Sequence, residues 1–248
     1  MPINEVVTED PALIASDGAT KRRFVRGIFS EIAPRYDFLN HLLSLNIDRV
    51  WRRHAIAMLN WQRAPEATYL DLCAGTLDVA AALARQPGFR GRVLGADFAE
   101  PMLREGLSKS SSRISPLVAD ALELPLAAGS AAGAIVAFGV RNVSDLDTAL
   151  REVHRVLATG ARFVILEFTK PRNPIVRGLY HFYFHRVLPF VGGLVSGNRA
   201  AYRYLPESVA RFPREEQLAA RLRDAGFADV RWESLSLGIA AIHVGRKP

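Results

Sequence analysis

The sequence holds a single cysteine, Cys73, among its 248 residues. One thiol cannot close an intramolecular disulfide, and a cysteine-based zinc site needs several thiolates. No run of about 18 or more uncharged apolar residues is present, so we expect no membrane-spanning helix. The N-terminal residues lack the charged-then-apolar layout of a secretory signal peptide, and we therefore expect a cytoplasmic protein.

Several nucleotide-binding and nucleic-acid signatures are also missing. Neither the Gly-x-Gly-x-x-Gly loop of dinucleotide enzymes nor the Gly-Lys-Ser/Thr ending of a P-loop follows the first predicted strand. The Asn/Asp-Pro-Pro-aromatic string of amino-methylating enzymes, the Pro-Cys nucleophile of cytosine-carbon enzymes and the basic–aromatic motifs of RNA-binding modules are absent. We expect no nucleic-acid partner, although the net charge of +7 is compatible with an anionic membrane surface as a neighbour.

The composition, with 49% hydrophobic residues, is sufficient for one sizeable domain with its own core. Residues 1–20 show no periodicity and are predicted to form a flexible tail. Residues 21–248 are predicted to form a single domain. Within it, residues 21–64 make a helical cap, and residues 171–213 make an insertion on the substrate side that is rich in aromatic residues and arginines.

Short apolar runs and helical stretches alternate through the middle of the chain, as they do in α/β proteins. A helix from Pro213 to Ala225 then precedes two strands, Val230 to Leu237 and Ile239 to Gly245. This order predicts a Rossmann-like, seven-stranded, mostly parallel sheet with an antiparallel strand near the C-terminus. The five earlier strands are predicted to end at Asp71, Asp97, Asp120, Phe138 and Glu167.

The segment after the first predicted strand is built from small residues. Residues 73–76 lead into an alanine-rich helix. A strand, a tight turn and a helix in this order form a ligand site at the carboxyl edge of a parallel sheet. An acid such as Asp71 at that edge would attract a cationic ligand, and Gly75 and Thr76 would contact it. The leucine at position 77 would cost about 1–2 kcal/mol if its backbone had to be left-handed.

Two further acids end predicted strands in the same way. Asp97 ends the second strand, where an acid hydrogen-bonds the ribose hydroxyls of a nucleoside. Asp120 ends the third, where an acid can accept from the adenine amino group while the backbone amide of Ala121 donates to a ring nitrogen. Each acid alone is a common strand end. Three acids that end three consecutive strands share one edge of the sheet, and together they predict a nucleoside site.

The segment Phe138–Asn142 follows the fourth predicted strand and would project polar groups beside the reactive end of a cofactor. An arginine at position 141 could also cap a helix or bridge surface acids, which is the usual fate of an arginine. His181 and His185 lie four residues apart with no third ligand nearby. We therefore expect no metal site and interpret this stretch as an amphipathic lid.

With these motifs the chain resembles the C-methyltransferases of menaquinone and ubiquinone biosynthesis, the demethylmenaquinone and polyprenyl-methoxybenzoquinol methylases. The resemblance runs from about Lys21 to the C-terminus. It implies the class I S-adenosylmethionine (SAM)-dependent methyltransferase fold, SAM as the cofactor and a prenylated quinol as the substrate. The strings that carry it are Tyr36-Asp37-Phe38-Leu39-Asn40, Arg49-Val50-Trp51, Phe138 to Asp145, Leu166 to Pro171, and Tyr202-Arg203-Tyr204-Leu205.

The same resemblance assigns roles within the predicted site, because it implies that Arg141 and Asn142 face the quinol. Since arginine stays protonated, Arg141 is expected to stabilise a phenolate and to orient a water that relays the proton. Asn142 would hydrogen-bond a ring oxygen. Tyr36 would either line the pocket or only pack in the cap. A homodimer, or membership of a quinone-biosynthesis complex, is compatible with the sequence.

Departures from the family pattern leave two alternatives open. Leu77 and Ala74 replace glycines, and a diverged relative could methylate another phenolic or lipid-like acceptor, or serve as a non-catalytic nucleoside-binding subunit. A lipid substrate also predicts peripheral contact with an anionic membrane, at its inner face. The basic, aromatic stretch 177–204, which includes Arg177 and Arg186, is the expected docking surface.

Overall fold

The computed structural model describes residues 18–37, 44, 46–183, 186 and 199–248. The strands of its central sheet are β1 (Thr68–Leu72), β2 (Arg92–Asp97), β3 (Ile114–Val118), β4 (Ala131–Ala137), β5 (Leu157–Phe168), β6 (Ala228–Leu235) and β7 (Ala240–Arg246). They form one sheet in the order β3-β2-β1-β4-β5-β7-β6. Strand β7 runs antiparallel to both of its neighbours, and the other pairs are parallel. The predicted sheet is confirmed.

The helices that surround this sheet lie mostly where the periodicity predicts them. They are α1 (Gly18–Ile32), α2 (Ile47–Met58), α3 (Asp78–Ala84), α4 (Glu100–Gly106), α5 (Leu146–Val156), α6 (Pro174–Phe182), α7 (Arg199–Arg211) and α8 (Glu215–Asp224). Helix α1 begins at Gly18, before the predicted start of the cap at Lys21. Among the described helices, none is both long enough and apolar enough to cross a membrane.

Both faces of the sheet are buried, as a parallel sheet requires. On one face the ring of Tyr69 in β1 packs against Phe89, which also packs against Trp61, in the same cluster as residues of α2 and α3. On the other face Leu70 and Leu72 pack in a cluster with residues of α5 and α8. Successive residues of a strand point to opposite faces, so β1 anchors both layers of helices.

Strand β1 lies between β2 and β4. The connection from β1 leads to β2 on one side, and the connection from β3 leads back across β1 to β4 on the other side. This arrangement is a topological switch point, where a crevice opens outside the carboxyl ends of the strands. Helix α1 packs beside this crevice through its apolar face, which buries Phe24, Val25 and Ile28 in a cluster with Tyr204 of α7. The cap and the return helix of the insertion therefore meet next to the carboxyl edge of the sheet.

The loop after β1 contains Leu77, for which a left-handed backbone was expected to cost free energy. Leu77 has φ +64°, and its side chain is fully buried. It fills the space that Gly95 of β2 and Gly106 of α4 leave open, because a Cβ on either glycine would clash with it. Burial of a leucine contributes about 1.5–3 kcal/mol, which offsets a left-handed backbone cost of about 1–2 kcal/mol.

Four of the five predicted strand ends differ from the observed ones, and β2 alone ends at the predicted Asp97. Strand β4 ends at Ala137, one residue before the predicted Phe138, and β5 ends at Phe168, one residue after the predicted Glu167. Strand β1 continues to Leu72, so Asp71 lies inside the strand rather than at its end. Strand β3 ends at Val118, and Asp120 follows it in a turn that bridges to Glu123. Apolar patterning does not separate the last strand residue from the first loop residue when both are buried or partly buried.

Position 77 allows the strain to be separated from the packing. We expect the Leu77→Gly variant to be more stable than the Leu77→Ala variant by about 1 kcal/mol in the free energy of unfolding. Both changes remove the packing of the leucine side chain, but only glycine removes the cost of a left-handed backbone. Urea denaturation of the two variants measures this difference. An ordinary helical or strand position would give the opposite order, so a more stable alanine variant would contradict the account.

Candidate functional site

A pocket of about 700 Å³, including its open mouth, lies at the carboxyl edge of the sheet. Its walls come from the loops that follow β1, β2, β3 and β4 and from the N-terminal cap. The predicted site residues that line it are Gly75, Asp97, Asp120, Ala121, Asn142 and Tyr36, joined by Arg22 and Phe29 of α1. Residues from distant parts of the sequence therefore converge on one cavity, as the strand-end acids predict.

Asp97 lies at the end of β2, in the wall of this pocket. Its Oδ2 accepts a hydrogen bond from the Gly75 amide at 2.8 Å, and its Oδ1 accepts from the Ala99 amide at 2.8 Å. Burial raises the pKa of Asp97, and these backbone donors act in the opposite direction. Each carboxylate oxygen keeps a second acceptor site, so Asp97 both fixes the glycine loop and can accept from a pair of hydroxyls.

Asp120 and Ala121 form the neighbouring wall, in the turn after β3. The Oδ1 of Asp120 accepts from the Leu122 amide at 2.9 Å, and its Oδ2 pairs with the guanidinium of Arg22. Asp120 is about a quarter exposed. The carboxylate is therefore oriented by its own turn and faces a cationic residue of the cap.

Two residues of the predicted loop site do not line the pocket. Asp71 is 1% exposed, and its Oδ2 accepts from the Ala80 amide in the first turn of α3 at 2.9 Å. Burial raises the pKa of Asp71 to about 8. Thr76 is also buried and donates its hydroxyl to Asp37 of the cap. Asp71 thus holds the start of α3, and Thr76 holds the cap on the loop. Of the three residues predicted for this part of the site, Gly75 is the one that lines the pocket.

Asn142 is the polar residue that the turn after β4 presents to the pocket. It ends the short 3₁₀ helix Val140–Asn142, and its Oδ1 is buried without a hydrogen-bond partner among the described residues. Buried side-chain oxygens are usually bonded, so an orphaned one in a pocket wall indicates a place for a ligand donor. This observation suits the predicted contact with a ring hydroxyl.

Arg141 belongs to the same turn, but it is not among the residues that line the pocket. Its guanidinium is 6% exposed, and its Nη1 lies 2.8 Å from Oε1 of Glu167 at the end of β5. It also donates to the Ser208 hydroxyl of α7 at 3.2 Å and to the Phe138 carbonyl. The geometry therefore does not favour the predicted contact of Arg141 with the quinol, because the positive charge of the guanidinium is already paired with the Glu167 carboxylate.

Glu167 and Ser208 are functional partners that the sequence reasoning missed. Glu167 is 1% exposed and also accepts from the backbone amides of Phe168 and Arg141. Burial raises the pKa of Glu167, and the Arg141 guanidinium acts against this shift. The only available signal was the acid at the end of the fifth predicted strand, since nothing in the sequence pairs Ser208 with Arg141.

Tyr36 both lines the pocket and packs, so its two interpretations are compatible. Its ring lies edge-on to Phe29 of α1, with centroids 5.8 Å apart. The adjacent Asp37 pairs with Lys109, which also pairs with Asp78 at the start of α3. This charge network fixes the end of the cap over the glycine loop.

The single cysteine and the predicted histidine pair are poorly suited to catalysis or metal binding. Cys73 lines the pocket, but burial raises the pKa of its thiol, which disfavours the nucleophilic thiolate. His181 is exposed at the end of α6, and His185 lies outside the described residues. Within the described part of the chain, no group of three His, Cys, Asp or Glu side chains could hold a metal ion.

Comparisons with known proteins agree with this geometry. Residues 17–247 match the model of the ubiE/COQ5 methyltransferase family. The chain is 51% identical over 225 residues to the demethylmenaquinone methyltransferase of Thermus thermophilus, covering 89% of this chain and 100% of that protein. It is 43% identical over 228 residues to the UbiE ubiquinone/menaquinone biosynthesis C-methyltransferase of Geotalea uraniireducens, covering 90% and 96%.

Solved structures show the same fold at low sequence identity. A SAM-dependent methyltransferase from Thermotoga maritima, described as a possible histamine N-methyltransferase, gives a TM-score of 0.65 at 19% identity and covers 90% of this chain and 100% of its own. The phosphoethanolamine N-methyltransferase 2 of Haemonchus contortus, solved with SAM, gives 0.56 at 14% identity over 78% and 52%. These likenesses establish the fold alone.

The residues in the pocket fit the cofactor that this class of enzyme uses. Asp97 and Asp120 line the pocket as acceptors of the kind that ribose hydroxyls and an adenine amino group would need, and Gly75, which has no side chain, lines it beside them. The predicted methyltransferase activity and SAM as the cofactor are confirmed by the family match. By its sequence over nearly the whole chain and by the fold of its pocket, the chain belongs to the ubiE/COQ5 methyltransferase family.

Proposed function

We propose that this chain methylates a ring carbon of a prenylated quinol in respiratory quinone biosynthesis. The relatives named for this reaction match almost end to end. The single structural observation that carries the proposal is the buried Oδ1 of Asn142, which has no hydrogen-bond partner among the described residues. Asn142 lines the same pocket as Asp97 and Asp120. A ring hydroxyl held there would lie in the cavity that holds the cofactor.

The cofactor half of the pocket is assigned as follows. Asp97 accepts from the ribose hydroxyls, and Asp120 accepts from the adenine amino group while the Ala121 amide donates to a ring nitrogen. Gly75 lets the methionine half approach the backbone. When bound, SAM supplies an electrophilic sulfonium methyl group. No metal is needed for this chemistry.

The acceptor half must overcome the weak nucleophilicity of an aromatic carbon. When a water molecule takes the proton of a neighbouring hydroxyl, negative charge is placed on the ring, and that carbon can then attack the methyl group in line. The bond between the methyl carbon and sulfur breaks, S-adenosylhomocysteine leaves, and loss of the proton from the methylated carbon to water restores the aromatic ring. Asn142 holds the ring oxygen, and Tyr36 closes the pocket from the cap. Alignment at about 3–3.5 Å between the reacting atoms is the main contribution that such residues make.

Arg141 is assigned to positioning rather than to direct contact with a phenolate. Its guanidinium is neutralised by Glu167 at 2.8 Å and is buried behind the turn. By binding Glu167 and Ser208 together, it fixes the loop that presents Asn142.

The direct test is methyl transfer by the purified protein to a short-chain demethylmenaquinol, followed by mass spectrometry. We expect Asn142→Ala to keep SAM affinity near normal while methyl transfer falls by about 100-fold, as for a lost transition-state contact. Asp97→Ala, the matched contrast, should weaken SAM binding by about 1.5–3 kcal/mol in isothermal titration. Equal effects of both variants on SAM binding would contradict the assignment.

The same assay separates the two alternative functions. A diverged enzyme would bind SAM and leave the quinol unmethylated while it methylated another phenol. A non-catalytic nucleoside-binding subunit would bind SAM and methylate nothing. Quinone profiles of cells that lack the protein would show the unmethylated precursor only if the quinol is the natural substrate.

We further propose that the protein meets its lipid substrate at an anionic membrane surface through α6. Ile175, Leu179 and Phe182 are 74%, 68% and 64% exposed, and their spacing places them on one face of the helix. Arg177 and Arg186 are exposed beside them. An apolar face flanked by basic residues suits the interface of an anionic bilayer. The rest of the predicted docking stretch, residues 184–185 and 187–198, lies outside the described residues.

Vesicle binding tests this surface. We expect salt-sensitive co-sedimentation with vesicles that contain phosphatidylserine, and weaker binding when Arg177 and Arg186 are both changed to Ala, by about 1 kcal/mol for each arginine. The matched control is a double change of Arg85 and Arg113, which are exposed on other elements. If both double variants bound the vesicles less well, the effect would come from net charge and not from α6. If neither variant bound less well, α6 would not be the docking face.

A further inference from the structure

Two neighbouring basic residues of α1 bind two different loops of the pocket. Lys21 donates from Nζ to the carbonyls of Val143 and Arg141, at 2.6 and 3.3 Å. Arg22 pairs through Nη2 with Oδ2 of Asp120. The first turns of the cap are therefore bonded both to the loop that carries Asn142 and to the acid assigned to adenine.

The pair between Arg22 and Asp120 occupies one of the acceptor positions through which the acid could bind a ligand. Oδ1 of Asp120 is engaged by the Leu122 amide at 2.9 Å, so Oδ2 is the oxygen without a backbone donor. That oxygen is the one that Arg22 binds. Arg22 itself lines the pocket, so its guanidinium takes both an acceptor position and some of the space beside it.

We propose that Arg22 sets the affinity for the cofactor by competing with the adenine amino group for Asp120. This inference rests on the proposed adenine-binding role of Asp120. Binding of the nucleoside displaces the guanidinium and leaves the first turns of α1 bonded through Lys21. The side chain of Arg22 is 52% exposed, so the ion pair is weak and screened by salt. Arg22 therefore adjusts the affinity and does not block the site.

The competition can be measured with S-adenosylhomocysteine, which binds the same site without reacting. At low salt, we expect Arg22→Gln to bind it about two- to fivefold more tightly than the unchanged protein, the range that a half-exposed ion pair allows. Arg26→Gln is the matched control, because Arg26 is exposed one turn later on the same helix and its loss removes the same charge. Isothermal titration should give this control the affinity of the unchanged protein.

A double-mutant cycle that combines Arg22→Gln with Asp120→Asn tests the competition separately from the adenine-binding role of Asp120. Asp120→Asn should weaken binding of S-adenosylhomocysteine, and Arg22→Gln should add no tightening in that background, because the competing pair is already lost. Unchanged affinity in Asp120→Asn would overturn the adenine role of Asp120 and the inference with it. Weaker binding in Asp120→Asn, together with no tightening in Arg22→Gln alone, would leave that role intact and overturn only the competition.

Hydrogen exchange reports the same event in the cap. S-adenosylhomocysteine should speed exchange of the backbone amides at residues 18–24 in the unchanged protein, because the ion pair of Arg22 is exchanged for a ligand contact and only the two hydrogen bonds of Lys21 remain. In Arg22→Gln that bond is absent from the start, so the ligand should change exchange there little. Slower exchange in the unchanged protein on ligand binding would contradict the displacement of Arg22 from Asp120.

Discussion

The ion pair between Arg141 and Glu167 is the interaction on which the arrangement of the site depends. It joins the turn after β4 to the end of β5 at 2.8 Å, and the same guanidinium reaches Ser208 of α7 at 3.2 Å. The carbonyl of Arg141 accepts from Lys21 of α1. The sheet, the cap and the return helix of the insertion are thus bonded through one residue, and Asn142 takes its direction from it.

Burial gives this pair its importance. An exposed ion pair contributes about 0–1 kcal/mol, but removal of one partner from a buried pair costs about 3–5 kcal/mol because the other charge is left unpaired. Both side chains here are almost fully buried. The pair therefore favours one arrangement of the turn over others. This arrangement includes the Oδ1 of Asn142, which has no hydrogen-bond partner in the described part of the chain and which we propose binds the substrate.

Much of the fold and part of the site could be predicted from the sequence. The alternation of strands and helices predicts the sheet, and Asp97 and Asp120 line the pocket because strand ends of a parallel sheet share an edge. Asp71 and Thr76 could not be placed, since their partners, the Ala80 amide and Asp37, are set by tertiary packing. The same holds for Arg141, whose partner Glu167 was visible only as another strand-end acid.

The double variant of the ion pair tests this account most directly. Urea unfolding of Arg141→Met, Glu167→Gln and the combination gives a coupling energy. The amides of Phe168 and Arg141 donate to different oxygens of Glu167, and glutamine keeps an acceptor for one of them. The account predicts that each single change costs several kcal/mol, that the double change costs less than their sum, and that methyl transfer falls in all three while S-adenosylhomocysteine still binds. Two small losses that simply add, with methyl transfer preserved, would contradict it.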